Sequence, residues 1–324
     1  MPNDIHEQLT KYLTDAHSIE EQALAQLRTA PKIAGDPELA RAYRDHLDET
    51  EGQERLVREL LEARGARPSS TKDTVMKLGG KGFLLFARAQ PDTPGKLHSH
   101  ALSYEALELS SYELLASVAE RAQEPSVVEA AERIGGEERR MMERLEGGFD
   151  RAVDASLRDL EPDDPAEQLR KYLADAHAIE EQAVALLERG PKLAGGPTLA
   201  QIYAEHLDET REHAEAIEER LAALGGDPST LKDAAMRLGA LNWGAFFQGH
   251  PDTPGKLAAF ARAFEHLEIG GYEQLRRIAE RAADQETAEL VGSILTQERE
   301  AADRIAGAFG EAVEASLESQ GVTL

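Results

Sequence analysis

Carboxylates set into apolar faces are where this chain can do chemistry. Glu20 falls in the middle of Leu9, Leu13, Ala16, Ala23 and Leu27, and Glu138 interrupts Val127, Ile134, Met141, Leu145 and Phe149 in the same three-and-four spacing. Both acids therefore belong to the buried stripe of an amphipathic helix. Another segment aligns Tyr43, His46, Thr50 and Gln53 on one face with Glu49 beside it, and another aligns Glu105, Glu108, Tyr112 and Leu115. A lone buried carboxylate keeps a proton or finds a cation, and several that converge repel one another strongly. A metal ion removes the conflict, and oxygen ligands with one or two imidazoles suit iron or manganese ahead of zinc. The competing reading makes Glu20 and Glu138 hydrogen-bonding groups that reach His or Tyr across the core, and His46 a satisfied core imidazole. Tyr112 is read as a core hydroxyl or a donor to a ligand rather than a redox group.

The chain contains this constellation twice. KYLTDAHSIEEQA from Lys11 returns as KYLADAHAIEEQA from Lys171, HLDET at His46 returns at His206, and PDTPGKL at Pro91 returns at Pro251, all at a constant offset of 160 residues. A period this long marks duplicated whole domains. The second copy carries Glu180, His206, Glu209, His213, Glu265, Glu268 and Glu298. His213 stands where the first copy has Gln53, and imidazole is the better metal ligand, so the second site is expected to bind more tightly. His98 and His100 face Ala258 and Phe260 in the alignment and are read as surface residues, while Glu21 and Asp48 are assigned to solvated faces. The boundary is placed near Asp163, giving copies of residues 1–162 and 163–324, with Asp164 and Pro165 as cap and first residue of the helix that follows.

The elements that must position these residues are long helices. The first is expected over Ile5 to Ile33, the second from Pro37, capped by Asp36, to Arg64, the third over Lys96 to Gln123, and the fourth from a break at Glu124-Pro125-Ser126 to Leu157. The connections are short, long, short, so helices one and two form a hairpin, as do three and four, and the segment from Ser69 to Gly95 crosses the bundle. One long crossover between helices two and three is the connectivity of ferritin-like four-helix bundles, so the fold expected is all-α with two such bundles in tandem. Phe83, Phe86, Trp243, Phe246 and Phe247 are assigned to plugging the bundle or the contact between copies.

Composition agrees with helices and narrows the partners. Of 324 residues 41% are hydrophobic and only 5% aromatic, and 61 acidic against 36 basic residues give a net charge of -25. That charge repels nucleic acid and anionic membrane surfaces. No apolar run of spanning length and no leader pattern is found, and the absence of Cys excludes thiolate sites, so a cytoplasmic protein is expected.

At Ile19-Glu20-Glu21-Gln22, His46-Leu47-Asp48-Glu49-Thr50 with Gln53, Glu105-x-x-Glu108-x-x-x-Tyr112 and Glu138, the sequence resembles the YciE/YciF-type stress proteins of the ferritin-like superfamily, over nearly the whole of both copies. The resemblance implies a di-iron or related site, bacterial stress association, and dimers, which makes the duplicated chain an internal pseudo-dimer with scope for further self-association. The sequence departs from the better-known ferritin pattern. Helix two reads His46-x-x-Glu49 instead of Glu-x-x-His, and helix four has no His after Glu138. Arg139 and Arg299 occupy a position that is usually acidic in the family, whose later Asp is matched by Glu143 and Asp303. Three function classes follow: a di-metal oxidoreductase acting on oxygen or peroxide, a metal-sequestering protein without turnover, and a metal-free structural stress protein.

Overall fold

The computed structural model describes residues 4–68, 92–158, 165–228 and 252–322, and among them the regular structure is entirely helical. The five crossover aromatics and the Asp164 cap lie outside the described residues. The chain divides into two compact units, Met1–Asp159 with Gln320–Leu324, and Leu160–Ser319. In the first unit α1 spans Ile5–Leu27, α2 Ala30–Ile33, α3 Pro37–Ala63, α4 Thr93–Arg121, α5 Pro125–Glu146 and α6 Phe149–Arg158. In the second, α7 spans Pro165–Leu187, α8 Gly190–Leu193, α9 Pro197–Ala223, α10 Thr253–Arg281, α11 Gln285–Gly307 and α12 Phe309–Ser319. No helix among the described residues is long and apolar enough to cross a membrane.

Helix boundaries follow local chemistry. Asp36 accepts from the backbone of Glu38 at 2.8 Å and Leu39 at 3.1 Å, with Pro37 directly after it. These are the orphan donors of a helix start, and proline has no N–H to lose there. Gly35 turns the chain into α3 at φ +70°, a conformation that suits glycine, and a Cβ there would lie 2.7 Å from Pro94 Cγ. Two expected helices are broken. The first stops at Leu27 rather than running to Ile33, because Pro31, placed in the first turn of α2, cannot continue the ladder. The fourth is split at Gly147-Gly148 into α5 and α6, and its partner in the second unit is split at Gly307-Ala308.

Within the first unit α1 packs on α3 and α4, and α5 packs on α3 and α4, so the four long helices close a ring around one core. The second unit repeats this with α7, α9, α10 and α11. Arg64 at the end of α3 meets Glu124 at the start of α5 (2.9 Å), whereas Gly95 at the start of α4 donates its backbone N–H to Ser156 Oγ at 2.8 Å near the end of α6. Helix α3 therefore ends at one end of the bundle and α4 begins at the other, the connectivity expected of a ferritin-like bundle.

The reading of His98 as a surface residue is overturned. It is fully buried, with Nδ1 at 3.0 Å from Tyr43 Oη and Nε2 at 2.7 Å from the Leu145 carbonyl, and it meets Phe149 edge-on. Gly148 makes the room: a Cβ there would lie 2.8 Å from the imidazole. The second unit replaces both members together, with Ala258 for His98 and Ala308 for Gly148, and leaves the Tyr203 hydroxyl without a hydrogen-bond partner among the described residues. His100 is half-buried and tilts against Tyr104, and burial pushes its imidazole down to about 3.

Candidate metal centre

Three of the four long helices deliver acid to the centre of their bundle. The second delivers histidine, its Glu49 or Glu209, expected among the inward ligands, staying partly exposed. Glu20 from α1, His46 from α3, Glu105 and Glu108 from α4 and Glu138 from α5 are at most 3% exposed, and Glu180, His206, Glu265, Glu268 and Glu298 match them in the second unit. The helical repeat explains the placement: residues three or four apart share a face, so an acid that replaces one member of an apolar stripe must enter the core.

The acids converge into two overlapping groups. His46, Glu105, Glu108 and Glu138 each offer a ligand atom within 4.8 Å of the others, as do His206, Glu265, Glu268 and Glu298. In the second unit Glu180, His213 and Glu298 form another such group, and Glu298 belongs to both. The first unit places Glu20, Gln53 and Glu138 correspondingly, with the Gln53 amide N–H donated to Glu138 at 2.5 Å and to Glu137 at 3.1 Å. His213 instead points Nδ1 at Glu298 (2.8 Å) and holds Gln297 with Nε2 at 2.6 Å. The partner outside the core thus changes along with the residue inside it, Glu137 to Gln297. That pairing was not read from the sequence, although its signal was present in the joint difference between the copies.

Glu49 and Glu209 stand at the rim of these groups. Each accepts from the Nδ1 of the histidine one turn before it, at 3.1 and 3.0 Å, leaving Nε2 turned into the core 3.0 Å from Glu105 and 2.8 Å from Glu265. A carboxylate on one ring nitrogen fixes which nitrogen faces a metal and raises its basicity. Tyr112 and Tyr272 donate to Glu20 and Glu180. Tyr104, which the sequence did not single out, donates to the Ile19 carbonyl at 2.9 Å, and Phe264 replaces it in the second unit. Arg139 pairs with Glu113 and Arg299 with Glu273 away from the core, and Glu143 and Asp303 are exposed.

The electrostatics are those of acids with too few cations. Burial, countered in part by Tyr112 and His46, raises Glu20 to about 8, and burial with Glu298 beside it raises Glu180 to about 8. Glu108, Glu138 and Glu268 are raised as well, first by burial and then by neighbouring acids, Glu138 beside Glu108, Glu105 beside Glu138 and Glu298 beside Glu268. Burial takes Glu298 to about 7 with His213 holding it down. Burial opposes the imidazolium of His46 and His206, but Glu105 and Glu265 override it, taking His206 to about 11. Glu209, bonded to His206 and Arg304, falls to about 2.

These residues could hold a metal ion by a test the geometry supplies. Both oxygens of Glu108 and of Glu268, and one oxygen each of Glu20, Glu138, Glu180 and Glu298, have no hydrogen-bond donor among the described residues, while His46 Nε2 and His206 Nε2 meet only acids, nearest Glu105 and Glu265. Leaving an ionised group so placed costs several kcal/mol, and a cation between them satisfies the whole set at once. The donors are hard oxygens and imidazole nitrogen, which suit iron, manganese or zinc. A cavity of about 20 Å³, lined by Ala23, Leu27, Tyr43 and Tyr104 among others, reaches Glu105 and has room for a molecule the size of water.

The family described as "Domain of unknown function (DUF892)" matches the chain over residues 4–158 and again over residues 164–318. No solved structure matches the chain.

Proposed function

The chain belongs to the DUF892 family through both of its halves, and we propose that each half holds two metal ions, iron or manganese, in a carboxylate-bridged centre that reacts with oxygen or peroxide. The observation that carries this is the set of buried carboxylate oxygens without donors in each unit, which in the second unit gather into two groups that share Glu298. The resemblance to YciE/YciF-type stress proteins supports the same reading and adds a role in stress.

His46 Nε2, Glu105, Glu108 and Glu138 would hold one ion, and Glu20, Gln53 and Glu138 the other. In the second unit the sets are His206, Glu265, Glu268 and Glu298, and Glu180, His213 and Glu298. When bound, such a pair supplies a change of oxidation state and a Lewis acid toward a small oxidant. The chain's own part is positional. Glu49 and Glu209 lock the histidine tautomer, Tyr112 and Tyr272 fix one oxygen of Glu20 and Glu180 and leave the other turned to the core, and Glu138 and Glu298 join the two positions. The raised carboxyls Glu20 and Glu180 hold protons that metal binding would have to displace, so loading would release acid. The cavity at Glu105, with room for a molecule the size of water, is too small for an organic substrate and is in keeping with a small oxidant.

The test is to strip the full chain, reload it anaerobically with iron(II) or manganese(II), and follow consumption of oxygen and of peroxide, with Glu138→Gln/Glu298→Gln as control. Metal-dependent consumption that the double variant loses is the expected result. Metal without consumption assigns the chain to sequestration, and no metal assigns it to a structural role.

A further inference from the structure

Outside the core, the first unit carries a second kind of ligand group. His17 and Glu21 lie one turn apart on α1, Glu54 faces them from α3, and one ligand atom from each lies within 4.8 Å of the other two. His17 Nε2 is 3.1 Å from Glu54 Oε1, and the side chains of both are less than a tenth exposed. Glu21 is half-buried, so the group is closed on the protein side and open toward solvent. We propose that His17, Glu21 and Glu54 form an outer site for a divalent transition-metal ion, present in the first unit alone and separate from the core centre.

One imidazole and two carboxylates from rigid helices are three protein ligands of the type such ions take, with further positions left to water. His17 and Glu21 flank Glu20 in the chain, and Glu54 already adds to the repulsion felt by Glu20, so an ion here sits within a helical turn of the core. Arg58 reaches Glu54 at 3.3 Å from a side chain that is nearly half exposed, so the guanidinium can turn out into solvent as a cation enters.

The duplication supplies the contrast. The second unit keeps His177 and Glu181 but has Ala214 for Glu54 and Glu218 for Arg58, and no such group gathers there among the described residues. The neighbouring position changes with it: Gln53-Glu54 becomes His213-Ala214. The first unit therefore spends its extra ligand outside the core, and the second spends it inside.

The experiment uses the stripped full-length chain with zinc as the probe, counting bound zinc by equilibrium dialysis and locating it by anomalous scattering in crystals. Zinc is expected at His17, Glu21 and Glu54 and absent at His177 and Glu181. Glu54→Ala and the near-isosteric Glu54→Gln each remove that peak and about one zinc per chain while core peaks stay, and Ala214→Glu creates the missing site. A filled outer site above an empty core supports this inference and contradicts only the reading of the core. No zinc at the outer position of the wild type, or zinc retained there in both Glu54 variants, overturns it.

Discussion

Gln53 gives the first core an amide that donates to Glu138 at 2.5 Å, whereas His213 gives the second an imidazole whose Nδ1 lies 2.8 Å from Glu298. The amide cannot change charge. The imidazole can, and Glu298 and Glu180 raise it to about 9 against its burial. The four buried acids are the same in both units, so the comparison isolates one ligand position and what surrounds it. It shows that the carboxylate set is the common design and that the position beside the shared acid is where the copies separate. In the first unit the same stretch adds Glu54 to the outer cluster, and α4 adds His98 and Tyr104, which the second unit replaces with Ala214, Ala258 and Phe264.

The largest effect expected is on the shared acid. Glu138→Gln should empty both positions of the first core and leave the second loaded, halving the core metal, and Glu298→Gln should do the converse. Elemental analysis of each variant after manganese loading reads this directly. Equal losses from both cores in either single variant would break the picture of two independent centres.

Next comes the pair His98 and Gly148. Removing the imidazole strands the Tyr43 hydroxyl, leaves the Leu145 carbonyl with the Gly148 N–H alone and opens a cavity, so His98→Ala should cost about 2–3 kcal/mol. Gly148→Ala should cost about 1–3 kcal/mol through overpacking against the same ring. In the double variant, which recreates the second unit's pair, the Gly148→Ala penalty should vanish. Denaturant unfolding of the three variants checks it, and strictly additive costs would refute the coupling.

Exchanging the core ligand is a smaller change. Gln53→His should tighten the weaker position of the first core about tenfold, or ~1.4 kcal/mol, and His213→Gln should loosen the second by a similar factor. Competition against a chelator of known affinity measures both. Unchanged affinities would mean that neither side chain reaches the ion.

The smallest effect is a slope with pH. Glu20 is raised to about 8, so between the ordinary carboxylate range and that value the folded metal-free chain holds a proton that the unfolded chain has lost. Its contribution to stability is therefore present at low pH and lost as pH rises through about 8. Glu20→Gln cannot ionise, so its melting temperature relative to wild type should climb between pH 5 and 8.5 in chelator. Metal-loaded wild type should show the opposite trend, because the cation must displace that proton. A difference that falls with pH in chelator would contradict the assignment.

Much of this was legible before any coordinates. The constant offset gave the duplication, Asp36-Pro37 gave the start of α3, and the interrupted stripes gave Glu20 and Glu138 as inward acids, because helical periodicity alone decides which way a residue faces. What periodicity cannot decide is direction within the core. His46 and Glu49 at i and i+3 had to be neighbours, but only coordinates place Glu49 at the rim holding Nδ1 and Nε2 facing inward. His98 was misread because its lack of a counterpart looked like freedom to vary. The joint change of Gly148 to Ala308 was the available sign that His98 fills space. The break at Gly147-Gly148 was passed over because the apolar stripe continues to Phe149 on both sides of it.

The central claim is that the buried acids are metal ligands. It is tested most directly by loading stripped wild-type chain with manganese(II) or iron(II), desalting it, and measuring metal content together with melting temperature with and without chelator. The account predicts about two core ions per unit and a higher melting temperature in the loaded chain, since each site stabilises the fold by about 2.7 kcal/mol when free metal is a hundredfold above Kd. Metal content near zero with every ion tried, and a melting temperature indifferent to chelator, would contradict it.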